Sequence, residues 1–242
     1  MSHPDSLKQF TSSQARQSFR SGCIDSLPIC FTFVFLFFSI GAASQSAGFT
    51  AVQSVLMTLA VHASPLQVLI TQNAESLSFL SLLFATLVIN FRFLIMSSLL
   101  TKEFGNTALS KQLLSVQLLS ISTFTLANSQ KEHIADLYHY YLGCGIITLV
   151  AATLATLAGF WVGAEQHFAD EQLINMILPI HFTALAALAW PKLRPLLVTG
   201  MGFVVTPFAE RWLGEYQILI TPLLLAGLWL LWEVIRQGKA HD

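Results

Sequence analysis

The sequence predicts an all-α, polytopic membrane helix bundle with about eight transmembrane helices. Three observations predict it. First, 54% of the 242 residues are hydrophobic and only 10% are charged, against about 25% charged in soluble domains. Second, apolar stretches that meet or approach the roughly 20 residues needed to cross a bilayer recur along the chain. Third, short polar or basic turns separate those stretches. The same composition excludes other classes. A net charge of −1 leaves no nucleic-acid footprint. Cys23, Cys30 and Cys144 have no metal-ligand spacing and read as buried thiols. There is no Ser/His/Asp order, no clustered ligand set and no phosphate-binding glycine loop, so neither an enzyme nor a bound cofactor is expected.

Residues 1–22 are polar and read as a cytoplasmic tail, in part an interfacial helix. No short apolar region with a small-residue cleavage site follows them, so no removable signal peptide is expected. Residues 23–237 form the transmembrane domain and 238–242 a second cytoplasmic tail. The expected spans are 24–43, 49–72, 77–100, 107–127, 137–163, 173–190, 196–209 and 216–235. The fourth is the most polar, with Lys111, Gln112 and Gln117, so one of its faces should meet protein or a cavity. The fifth carries Gly143, Gly145, Gly159 and a run of Ala and Thr, which suggests close helix packing. Seven spans result if the short seventh segment enters and turns back.

The Lys/Arg distribution orients the bundle. With a cytoplasmic N-terminus, eight basic residues lie inside: Lys8, Arg16, Arg20, Lys131, Lys192, Arg194, Arg236 and Lys239. Lys102, Lys111 and Arg211 lie outside, which favours cytoplasmic termini on both ends.

The second span contains a helix-start signal in mid-membrane. Ser64 can cap, Pro65 fits the first helical position and Gln67 can close a capping box. A helix that restarts there exposes N–H groups and a positive dipole end where lipid offers no acceptor. Transporters build substrate sites from such breaks; a repaired proline kink is the bland alternative. Ser64 and Gln67 are therefore candidate substrate ligands.

Leu27-Pro28-Ile29-Cys30-Phe31-Thr32 recurs as Leu178-Pro179-Ile180-His181-Phe182-Thr183, 151 residues later with five of six positions matched. Each copy precedes a span carrying a hydroxyl residue and proline, Ser64-Pro65 or Thr206-Pro207. Repeats over 24–100 and 173–236 would be separated by five crossings and so run in opposite directions, an inverted repeat. Pro28, Pro65, Pro179 and Pro207 are the candidate helix-break or gating residues. Thr206 joins the substrate set, and the two breaks are expected to face each other across one cavity.

Arg92 lies about eight residues from the end of its span, roughly 12 Å in, and a charge at that depth is costly. It is either a cation for a substrate carboxylate or gate, or an anchor to backbone carbonyls, Asp25 or Glu75. Asn90, two residues away, is also a candidate substrate ligand; on a regular helix the two lie on nearly opposite faces, so either the helix breaks here or only one of them faces the pathway. His62 and His181 are candidates for proton coupling or hydrogen-bonded packing residues.

The ordered set of these residues resembles the AzlC-type family, the large subunit of bacterial branched-chain amino-acid exporters. The resemblance runs from about residue 19 to 236. It rests on Phe19-Arg20-x-Gly22 with Leu27-Pro28, Ala47-Gly48, Gln67 and Asn90-x-Arg92. It continues through Tyr141-Leu142-Gly143, Thr156-Leu157-Ala158-Gly159 and Leu178-Pro179-x-x-Phe182. Departures mark a divergent member: Phe35 and Phe37 replace a proline and glycine, Phe93 a histidine, and Pro65-Leu66 a small residue and serine. The Thr-Asp-Glu end of the fourth span is replaced around Ala127-Asn128-Ser129. The resemblance implies export of branched-chain or other small neutral amino acids across a bacterial inner membrane. It also implies a small AzlD-type membrane partner. A subunit that has lost transport, or one that exports another metabolite, is the alternative.

Overall fold

A computed structural model describes residues 4–72, 78–105, 107–165, 183, 193–213, 221 and 224–232. All regular structure among them is helical. The chain divides into two compact units, Met1–Pro179 and Ile180–Asp242. The first contains α1 (Pro4–Asp25), α2 (Leu27–Ser46), α3 (Ala51–Val61), α4 (Ser64–Gln72), α5 (Phe79–Thr101) and α6 (Leu109–Ser115). A 3-10 turn (Val116–Leu118), α7 (Ile121–Gln130) and α8 (Leu137–Glu165) complete it. The second contains α9 (Leu193–Leu213) and the helical residues 224–232. Among the described residues, three segments are long and apolar enough to cross a membrane: Leu27–Ser46, Leu82–Thr101 and Leu137–Gly163. They correspond to the first, third and fifth expected spans.

The polar N-terminal segment is helical from Pro4 to Asp25. Its last turns lead almost directly into α2. Pro28 is the second residue of α2, where its missing N–H costs no intrahelical bond. Ser26 stitches the junction, with its Oγ 2.7 Å and its N 3.2 Å from the Gly22 carbonyl.

Glycines set how α1 and α2 lie on α8. A Cβ on Gly22 would collide with the Tyr140 carbonyl, and one on Gly143 with the Phe19 carbonyl. The same reciprocity recurs further along: Gly41 abuts Thr156, and Gly159 abuts Phe38. The thiols follow it, with Cys144 Sγ donating to Gly22 O at 3.4 Å and Cys23 Sγ to Gly143 O at 3.5 Å. Such backbone-to-backbone approach is how membrane helices gain packing energy without a hydrophobic drive between them. The contacts advance together along both helices, so α1 and α2 run parallel to α8. Above these glycines Ile29, Phe33, Leu36, Phe37 and Ile40 pack on Ala152 and Ala155. Phe31, Val34 and Phe35 point outward, as lipid-facing residues should.

α5 presents a similar division. Leu83, Phe84, Leu87, Phe91, Leu94 and Ile95 are exposed, while Phe93, Met96 and Leu100 turn toward the core around Tyr138 and Tyr141. Phe104, just past α5, stacks on Tyr138 and Tyr141 with ring centroids 5.2 and 5.4 Å apart. The C-terminal end of α5 therefore sits at the Leu137 end of α8.

The expected fourth span, 107–127, is not a crossing helix. α6 descends along α8: Tyr138 Oη donates to Lys111 O at 3.2 Å, Tyr141 Oη to Ser115 O at 2.8 Å, and Leu118 abuts Gly145. The chain then turns, and α7 returns, so that Lys131 Nζ lies 3.3 Å from Glu103 on the other side of α6. A straight helix of that length would separate its ends by roughly 30 Å. The physical cause is a second helix start. Ser120 and Thr123 form a capping box, with Ser120 N donating to Thr123 Oγ1 at 2.8 Å and Thr123 N to Ser120 Oγ at 3.1 Å. Both loops flanking this hairpin line one cavity of about 520 Å³, with Glu103, Lys111, Asp136, Tyr138 and His139 in its wall.

A second correction concerns Thr206-Pro207. α9 runs through Pro207 without interruption, and both residues are exposed. A lone proline removes one ladder bond, and this helix absorbs the loss. The shared downstream break that supported the repeat over 24–100 and 173–236 is therefore absent. Pro179 and His181 lie outside the described residues.

Candidate functional site

The break in the second apolar segment is present and lies inside the first unit. α3 ends at His62, which adopts a left-handed conformation (φ 37°) and donates its N–H to Thr58 O at 3.1 Å. It is the one non-glycine residue with positive φ among those described, a conformation usually left to glycine or asparagine. α4 begins at Ser64. The first acceptor of α4 is the Ala63 carbonyl, which takes the N–H groups of Leu66 and Gln67, each at 3.1 Å. Ala63 thus holds the capping position expected for Ser64, and Pro65 still falls in the first turn, where its missing N–H is harmless.

Gln67 does not close a capping box. Its side chain turns back across the break, and its Oε1 accepts from Thr58 Oγ1 at 3.1 Å. Thr58 Oγ1 also lies 3.0 Å from Thr156 Oγ1 on α8, and Thr156 Oγ1 donates to Ala152 O at 2.9 Å. Thr58, Gln67 and Thr156 are each 0% exposed. The result is a polar thread that ties α3, α4 and α8 together in the interior. The reach between Thr58 and Gln67 requires a sharp bend, since nine residues of straight helix would place them roughly 13 Å apart.

What the break leaves unpaired is as informative as what it pairs. Both ring nitrogens of His62 and the Nε2 of Gln67 are buried without a hydrogen-bond partner among the described residues. His62 is 2% exposed, with Phe33 and Phe37 against its ring at centroid distances of 5.8 and 6.0 Å. A buried unmet donor costs about 1–3 kcal/mol. Unmet polar groups of this kind need an explanation. The break also frees the last carbonyls of α3, and Gln117, in the turn after α6, supplies the missing donors. Its Nε2 bonds the Leu59 carbonyl and the Ala60 carbonyl, the latter at 2.9 Å.

Asn90 and Arg92 lie on α5 rather than at the break. Each carries a buried atom without a partner among the described residues, Asn90 Oδ1 and Arg92 Nε. The Arg92 guanidinium stands over the Phe93 ring, 5.1 Å from its centroid, a contact that attracts a cation. Asp25 is engaged elsewhere, accepting from Tyr140 Oη at 2.9 Å, and Glu75 lies outside the described residues. Of the sequence-predicted candidates, the structure brings together His62, Ser64, Pro65 and Gln67. Thr206 and Pro207 belong to the second unit. Thr58 and the capping role of Gln117 had no sequence signal, and Thr156 entered only through the family resemblance. Nothing in a lone threonine of an apolar stretch marks it as a partner for a distant glutamine. Ser120-x-x-Thr123 did carry a legible signal for the second turn.

Long apolar helices with lipid-suited faces, one interrupted segment and unpartnered polar groups in the interior together define a helical membrane protein. A family model described as AzlC protein matches residues 28–165, more than half of the chain and everything from α2 to α8. The chain belongs to the AzlC family. That membership points to a role connected with membrane transport. No curated protein and no solved structure matches the chain.

Proposed function

We propose that this chain is the large subunit of a bacterial exporter of branched-chain or other small neutral amino acids. A small AzlD-type membrane protein would be its partner. The observation that carries this reading is the α3–α4 break, where Gln67 Nε2 and both His62 ring nitrogens are buried without partners among the described residues. Such groups persist where a ligand or a transient water meets them. Ser64 and Gln67 would contact the substrate, and His62 would exchange a proton. Arg92 and Asn90, on α5, would serve a substrate carboxylate or a gate. The bilayer would be the bacterial inner membrane with both termini cytoplasmic, and the basic residues of the first unit support that orientation. Among residues 1–165, Lys8, Arg16, Arg20, Lys102, Lys111 and Lys131 lie at or before the Leu137 end of α8, and only Arg92 lies within a crossing helix. That asymmetry supports a cytoplasmic Leu137 end.

The test is efflux of a labelled branched-chain amino acid from loaded cells that carry the gene, with and without the gene for its small partner. Efflux that needs both supports the proposal. Efflux indifferent to this chain leaves it a scaffold subunit.

A further inference from the structure

The α6–α7 hairpin changes how the α3–α4 segment must be read. α2 runs parallel to α8 and so ends near the Glu165 end of α8, whereas α5 finishes at the Leu137 end. A crossing α5 therefore starts at the Glu165 end, where α2 left off. Between those two points α3 and α4 must enter and return on one face. The Thr58–Gln67 bond across the break fits that reversal. The first unit then contains one motif twice: a hairpin of two half-helices followed by a crossing helix. α3–α4 enters from one face and precedes α5; α6–α7 enters from the other and precedes α8. A single crossing separates the copies, so they run in opposite directions. This pairing differs from the one suggested by Leu27-Pro28 and Leu178-Pro179. Two of the five crossings expected within residues 1–165 become hairpins, which leaves three among the described residues of the first unit.

The two turns meet. Gln117, at the turn of the second hairpin, holds the Leu59 and Ala60 carbonyls beside the turn of the first. We propose that the two hairpins are opposite gates of one pathway and that Gln117 is the latch between them. Among the described residues Gln117 is the side chain that donates to the freed carbonyls of α3, and hydrocarbon itself offers no donor. With the latch closed they are satisfied and the turn at His62-Ala63 is sealed; parting the hairpins breaks both bonds at once. The proposal rests on the transport reading of the break, but its test reads accessibility rather than efflux, so the two can fail separately.

The experiment uses the full chain in membrane vesicles, with Cys23, Cys30 and Cys144 replaced by alanine, and a membrane-impermeant maleimide. Single cysteines at Gly105 and Glu132 should label from one face, and those at Gly48 and Ser78 from the other. Gly105 and Glu132 labelling from opposite faces would restore a crossing helix and overturn the proposal. For the latch, Ala63→Cys, which replaces a residue 2% exposed, reports opening. Gln117→Leu should speed its labelling roughly tenfold, the effect expected when two hydrogen bonds are removed from one side of a two-state equilibrium. Gln117→Glu keeps the size but loses the donors and should match it. Thr125→Ala, on the exposed side of α7, should leave the rate unchanged. An Ala63→Cys rate unaffected by Gln117→Glu in a monodisperse, normally inserted protein overturns the latch.

Discussion

Gln67→Leu separates a structural glutamine from a functional one by sign. The substitution keeps the volume and removes the amide. Its cost is one hydrogen bond, Oε1 from Thr58 Oγ1 at 3.1 Å, about 0.5–1.5 kcal/mol net. Thr58 Oγ1 stays paired with Thr156 Oγ1 at 3.0 Å, so no new orphan appears on that side. The gain is removal of the unpartnered Nε2, about 1–3 kcal/mol. The variant should therefore be as stable as the parent, or more stable by about 1 kcal/mol, while efflux falls at least tenfold. Thermal unfolding followed by fluorescence-detected size exclusion gives the first quantity, and labelled-substrate efflux the second. Gln53→Ala is the control. It removes the capping partner of Thr50, costing about 0.5–2 kcal/mol, and should leave efflux near normal. A Gln67→Leu protein that loses more than about 2 kcal/mol yet exports normally would refute the assignment, because the amide would then be a packing element.

Arg92→Ala should insert and remain folded but lose transport, since its Nε has no partner to give up; normal efflux would make Arg92 an anchor. Arg92→Lys should also be impaired, because a lysine cannot reproduce a planar guanidinium stacked on Phe93, and wild-type rates would argue against that contact. Gly159→Val should separate α2 from α8, since even a Cβ there collides with the Phe38 carbonyl. The loss should be about 3 kcal/mol or more, read as a lower unfolding temperature. Gly200→Ala meets nothing within 4 Å and should instead stabilise α9 by about 0.5–1 kcal/mol, a contrast that the same measurement checks.

Much of the fold was legible because it depends on local properties. Residues 24–43, 77–100 and 137–163 are long and apolar, and length with apolarity is the whole requirement for a crossing helix. The glycines of the fifth span promised close packing, and close packing against α1 and α2 is what they provide. Ser64-Pro65 marked a helix start correctly, although Ala63 took the capping position, because a carbonyl one residue upstream could accept two N–H groups where a side chain could accept one. Pro207 misled for the complementary reason. A proline shows that one bond is lost, but whether the helix stops depends on neighbours that repair or ignore the loss. His62-Ala63 breaks because Thr58, Gln67, Thr156 and Gln117 stabilise the broken form, and those partners are spread over α3, α4, α8 and the turn after α6.

The same reasoning accounts for the polar fourth segment. Lys111, Gln112, Gln117, Ser120 and Thr123 looked like one face of a crossing helix bordering a partner or a pathway. Their actual work is mostly internal. Gln112 Nε2 donates to Thr107 O at 2.9 Å, Ser120 and Thr123 cap α7, and Gln117 serves the carbonyls that α3 cannot satisfy. A hairpin within hydrocarbon exposes twice the helix ends of a crossing rod, and each end must find donors or acceptors within the protein. The polarity of this stretch is therefore what lets it turn back. By that argument the α3–α4 hairpin is the under-supplied one. It borrows Gln117 for its carbonyls, leaves Gln67 Nε2 and the His62 ring unmet, and so keeps open the positions that a transported polar group would fill.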